Sequence, residues 1–220
     1  MKQIFRLFTP LCLIALTAMT FVACSEKDDA VEEYANWQQT NDQFFSQLLS
    51  QARQRVSAGD TTWRVIRKWS LQDSIHVSDD NYIVARVISS GQSTQHPLYN
   101  DSVRVMYETR LLPSATYTSG RIIDKTFEGD FNPRTAYAKL IGVNSSSTTD
   151  GLSTALQKMN VGDRWQIYVP YNLGYGIENA TVNNVLIPAY STLVYDLTLV
   201  ATYHAGSDIP DYQARPLLND

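Results

Sequence analysis

Cysteine is almost missing from this chain: there are two among 220 residues, Cys12 and Cys24, and Cys12 sits within an apolar N-terminal segment. A disulfide framework is therefore excluded, and a hydrophobic core must hold the fold. Histidine is scarce too. His76, His96 and His204 are dispersed, with no HExxH or other paired spacing for a metal. No GxSxG, P-loop or dinucleotide glycine pattern occurs, so no cofactor is expected and the metal-ligand set is empty. An excess of positive charge is also lacking: 18 Lys and Arg against 22 Asp and Glu leave a formal charge of -4. Without a basic face to neutralise phosphates, nucleic acid is not an expected partner. The longest apolar run, residues 11–22, is too short and too closely followed by charges for a comfortable membrane span.

Residues 1–23 read instead as a secretory signal, with Lys2 and Arg6 as its positive start. The segment ends Phe21-Val22-Ala23-Cys24, which resembles a bacterial lipobox with Phe21 in the place of the usual Leu. That resemblance implies cleavage before Cys24 and lipid on its thiol and amine. Several acyl chains would hold the protein stably at a membrane surface, where one chain would be marginal. A plain signal peptide with an incidental cysteine is the other reading. Residues 24–29 follow as a charged tether. Its Lys27-Asp28-Asp29 resembles signals that send some Gram-negative lipoproteins to the outer cell surface; a solvated linker has the same composition. The expected location is the envelope of a Gram-negative bacterium, anchored to the outer membrane on its periplasmic or surface face.

Residues 30–81 form an N-terminal extension, expected to be mainly helical. No Pro or Gly occurs from 30 to 57, and apolar residues recur at Val31, Tyr34, Trp37, Phe44, Phe45, Leu48, Leu49, Ala52 and Val56. Those spacings mark an amphipathic helix. Asn41 and Asp42 interrupt the stripe, so a break near Thr40 is possible. The stripe is expected to pack on the chain's own downstream domain; a homodimer through this helix is the alternative. Trp63 to Leu71 partly alternates as a strand does. With the polar stretch after it, it makes either a hairpin or a linker.

Residues 82–204 read as one domain. Tyr82 to Ile88 and Val103 to Leu112 are strands, and in the second Val103, Val105, Tyr107 and Thr109 share a face. Leu152 to Met159 carries one helical stripe. Val161 to Tyr195 reads VGDRWQIYVPYNLGYG, a polar loop, then LIPAYSTLVYD: two strands flanking a loop in which Tyr175 stands between Gly174 and Gly176. Residues 205–220, with Pro210 and Pro216, form a polar tail expected to be extended or disordered.

The block from Val161 to Tyr195 resembles the C-terminal half of the FKBP-type peptidyl-prolyl isomerases, which carry a VG-x-R/K strand, a P-x-x-L-x-YG loop and an IPP-x-(S/A)-TL-x-F-D strand. Val103 to Thr126 is similar to the family's VxVxYxGxLxDGxxFDSS run, with Tyr107 on the strand tyrosine and Asp124 on the aspartate. Gly142 resembles the glycine ending its F-x-L-G strand, with Tyr137 standing for the Phe, and Thr148 to Leu152 its VIxGW turn.

The resemblance implies an α+β fold, an FKBP-like antiparallel β-sheet of five or six strands wrapped around a short α-helix, here with an N-terminal helical extension. It implies a peptidyl-prolyl cis-trans isomerase that acts on proline-containing polypeptides and assists the folding of exported proteins. It assigns Asp124 and Tyr175 as the catalytic polar groups. Substrate would lie against Tyr107, Ile123, Tyr137, Leu152, Leu186, Ile187 and Tyr195, and the Ile187 amide could donate to a substrate carbonyl. Ile123, Tyr137, Leu152 and Tyr195 differ from the family's usual aromatics, so the expected pocket is shallower and richer in hydroxyls. A non-catalytic chaperone or peptide-binding module on the same fold is the alternative.

Overall fold

The structure, a computed structural model, describes residues 32–72, 74–133, 136–146 and 148–211. The signal, Cys24, the tether and the last nine residues of the tail lie outside the described residues.

One helix, α1 (Trp37–Ser57), forms from the Gly- and Pro-free stretch. It does not break at Thr40. Asn41 lies on the buried stripe with Trp37, Phe45, Leu49 and Ala52, and both ends of its amide are used. Its Nδ2 donates to the Trp37 carbonyl at 2.8 Å, and its Oδ1 accepts from the Thr192 backbone N–H at 2.7 Å. A polar side chain survives on an apolar stripe when it is fully hydrogen-bonded. The stripe packs within the chain: Phe45, Leu49 and Ala52 cluster with Val84 and with half-buried Trp63, Val65, Tyr82 and Tyr168.

The strands β1 (Trp63–Arg67), β2 (Tyr82–Ser89), β3 (Ser102–Arg110), β4 (Ile122–Lys125), β5 (Lys139–Gly142), β6 (Arg164–Val169) and β9 (Leu193–Tyr203) build one antiparallel sheet, ordered β1-β2-β6-β9-β3-β4. Strand β5 also pairs with β3, over Ser102 to Val105. A separate hairpin joins β7 (Ala180–Val182) to β8 (Val185–Ile187). Its turn residues Asn183 and Asn184 both have positive φ, the geometry a two-residue hairpin turn demands. The sheet has seven strands, more than the five or six expected, for two reasons. β1 pairs with β2 from Trp63↔Arg86 to Arg67↔Tyr82, so Trp63–Arg67 is a hairpin arm. β4 and β5 share one edge of β3.

A short helix, α2 (Asp150–Leu156), lies against the sheet, with the Leu152 N–H donating to Thr149 Oγ1 as its cap. Gly151 allows the approach: a Cβ there would stand 2.3 Å from Val169 Cγ1. Between α2 and the sheet lies the main core, in which Val103, Val105, Leu156, Met159, Ile167, Leu197 and Leu199 are fully enclosed. Each such side chain contributes about 1.5–3 kcal/mol on leaving water. Strand β3 is covered on both faces, where alternation had suggested one. On its second face Met106 packs with Phe127, Phe131, Ala136 and Ala138 from the connection between β4 and β5. Buried Arg104 is held there by the carbonyls of Ala138 (3.4 Å) and Pro210 (2.6 Å), so the start of the tail is tied to the sheet.

Candidate active site

The site begins with a gap in the pairing of β3. β5 covers that edge up to Val105 and β4 from Glu108 onward. Tyr107 lies between them. Its backbone is satisfied by one residue, Thr126, whose Oγ1 accepts from Tyr107 N–H and whose N–H donates to the Tyr107 carbonyl, both at 2.9 Å. The break lets two side chains from different strands converge on the Tyr107 phenol. Asp124, across from Thr109 in the β3–β4 register, accepts the phenolic proton at 2.5 Å. Lys139, the first residue of β5, donates from Nζ to the same phenolic oxygen at 2.9 Å and to Asp124 Oδ2 at 3.1 Å. The result is a closed triangle of phenol, carboxylate and ammonium. Burial, then the hydrogen bond to Asp124 and its charge, hold the Tyr107 phenol well above the usual tyrosine range, so it is a permanent donor.

Apolar and phenolic groups surround the triangle. Tyr195 of β9 lies opposite Thr109 and Ile167 and is fully enclosed. Burial first, and the neighbouring Tyr175 next, push its phenol upward. Ile123, Leu152 and Ile187 are buried in the same cluster as Tyr107 and Tyr195, and Tyr175 packs against that cluster half-exposed. Tyr175 is delivered by the loop after β6. A 3-10 turn, Tyr171–Leu173, is closed by Gly176 N–H donating to the Tyr171 carbonyl, with Gly176 at φ +85°. The Tyr175 phenol is also raised, by burial and then by the negative charge of Asp124, while Lys139 acts oppositely, which places it within electrostatic reach of the triangle.

Of the residues singled out from sequence, Tyr107 meets Asp124 by a hydrogen bond and Tyr175 and Tyr195 feel its charge, while Ile123, Leu152 and Ile187 are buried in the same core as Tyr107 and Tyr195. The backbone of Ile187 lies in the β7–β8 hairpin opposite Ala180. Tyr137 and Leu186 are the more exposed members of the predicted set, at 56% and 42%. Sequence reading missed Lys139. The signal was available: counting back from Gly142, the F-x-L-G spacing falls on residue 139, not 137, so an ammonium stands where that motif carries a ring.

Chemically, the arrangement can grip a neutral polar group. It offers strong donors and a carboxylate at the lip of a largely apolar wall. It has no side chain poised as a nucleophile: each phenol is held protonated, and Asp124 is engaged by two donors.

Comparison with known proteins agrees with this geometry. Residues 93–200 match the profile of the FKBP-type peptidyl-prolyl cis-trans isomerases. A macrophage infectivity potentiator of Trypanosoma cruzi is 29% identical over 124 residues, 56% of this chain and 55% of that protein. The peptidyl-prolyl cis-trans isomerase Mip of Coxiella burnetii is 34% identical over 100 residues, 46% of this chain and 37% of that protein. The chain thus spans about half, or less, of the length of these curated relatives. Among solved structures, a peptidyl-prolyl cis-trans isomerase of Pseudomonas syringae aligns with a TM-score of 0.45 at 22% identity, covering 71% of this chain and 93% of its own. Residues 93–200 of this chain therefore belong to the FKBP-type peptidyl-prolyl cis-trans isomerase family.

Proposed function

We propose that the protein is a peptidyl-prolyl cis-trans isomerase that assists the folding of exported proteins, held at the envelope of a Gram-negative bacterium by lipid on Cys24. The observation that carries the catalytic part is the Tyr107–Asp124 pair set against the buried wall of Ile123, Leu152, Ile187 and Tyr195. Rotation about an X–Pro bond faces a barrier of roughly 20 kcal/mol, set by amide resonance. The twisted amide has lost that resonance and carries less separated charge than the planar one. A pocket that excludes water therefore stabilises it relative to the planar ground state, and this difference in binding lowers the barrier. No bond is made or broken, so the site needs no nucleophile. The polar groups, Asp124 and Tyr175, would position the carbonyl and flanking backbone while the apolar wall receives the ring.

The test is turnover of a Leu-Pro peptide by the purified chain beginning after Cys24, followed by NMR exchange. Turnover above the uncatalysed rate is expected, and Asp124→Ala should lower kcat/KM at least about tenfold, the equivalent of roughly 1.4 kcal/mol of transition-state stabilisation. Tyr175→Phe should have a smaller effect. A folded protein indistinguishable from the uncatalysed rate would leave the second reading, a peptide-holding module. That reading has its own support in the aliphatic floor, since Leu152 and Ile123 stand where the family usually carries rings. The anchor is supported by the lipobox-like sequence before Cys24. Cys24→Ser should move the protein from the detergent phase to the aqueous phase of a partition experiment.

A further inference from the structure

We propose that Lys139 sets substrate preference, favouring polypeptides with an aspartate or glutamate immediately before the proline and disfavouring those with lysine or arginine there. The inference rests on the isomerase reading of the same site. Its basis is the order of charges in the triangle. The Asp124 side chain is 23% exposed and the Lys139 side chain 45% exposed, so the negative end of the ion pair is turned inward and the positive end toward solvent. The ammonium has three donors and two are engaged, by Tyr107 and Asp124. The third remains for an incoming group. Lys139 is also held in place: its Nζ is tied to both Tyr107 and Asp124, and it begins a strand that is paired along β3. A cation fixed beside the carboxylate that meets the X–Pro amide stands next to the side chain of residue X. Coulomb attraction at such a range, in a partly water-excluded setting, changes binding by about fivefold for an opposite charge, and by a similar factor in the other direction for a like one.

The experiment compares three peptides, Glu-Pro, Leu-Pro and Lys-Pro, with the full chain and with Lys139→Met and Lys139→Arg. The wild-type protein is expected to prefer Glu-Pro over Lys-Pro by at least about fivefold in kcat/KM at low salt, a ratio that shrinks as salt screens the interaction. Lys139→Arg should keep the Glu-Pro to Lys-Pro ratio and Lys139→Met should abolish it, the ratio being read against the variant's own Leu-Pro turnover. A ratio unchanged in Lys139→Met overturns the proposal. So does a uniform fall for all three peptides, which would make Lys139 a support for Tyr107 and nothing more. If the folded wild-type protein turns over none of the peptides, the isomerase reading fails instead. Fluorescence polarisation with the same three peptides, labelled, then decides the charge preference by affinity alone: equal affinities, or no binding of any of the three, overturn it.

Discussion

At the scale of single residues, the site is a case of one phenol satisfied by two partners from neighbouring strands. Removing the hydroxyl by Tyr107→Phe leaves Asp124 and Lys139 paired but strips each of a hydrogen bond. The expected cost is about 1–3 kcal/mol, read as a lower denaturant midpoint at unchanged m-value. Since Tyr107 and Asp124 lie on a strand pattern with a known sequence run, both were legible without coordinates. Lys139 was marked only by its spacing from Gly142; its role depends on β5 and β4 meeting at the same edge of β3, with Thr126 bridging the gap. No local periodicity announces such a junction. Tyr137 lies ahead of β5, two residues before Lys139, and its N–H donates to the Thr126 carbonyl at 2.9 Å, beside the same junction.

At the scale of elements, the N-terminal helix is part of the domain. Trp37 Nε1 donates to Ser191 Oγ at 2.8 Å and Asn41 receives the Thr192 N–H, so α1 grips the segment between Ile187 and β9 that borders the site. Asn41→Ala would leave a buried N–H without a partner and should destabilise the protein by about 1–3 kcal/mol in chemical denaturation. Asn41→Leu, which suits the stripe better by hydrophobicity, should be no less harmful, since the orphaned amide is the cause. The helix was legible from its spacing, but its continuity was not. A polar residue on the stripe reads as an interruption until its hydrogen-bonding partner, 151 residues away, is known. For α2, Gly151→Ala should cost about 1–3 kcal/mol by forcing the helix off Val169, measurable as a lowered Tm.

At the scale of the whole molecule, the buried phenols set an alkaline limit. Tyr107, Tyr175 and Tyr195 keep their protons in the folded state at pH values where the unfolded chain has released them. Above about pH 10 the folded state therefore binds more protons than the unfolded one, and stability falls as pH rises; below that pH the contribution is complete. Absorbance at 295 nm should show these phenols ionising together with unfolding.

The grip of α1 on Ser191 and Thr192 has one more consequence, for the order of events during synthesis. The helix is made well before its anchor points. The two contacts span 154 and 151 residues. Strand β3 likewise waits for β9, which it pairs from Ser102↔Tyr203 onward. A chain emerging N-terminus first can coil α1 early but cannot close these contacts until Ser191 and Thr192 have emerged. Closure of such distant contacts belongs to the slow, millisecond-to-second regime of non-local folding. A protein that we propose helps other exported chains to fold thus passes through the same exposed interval itself.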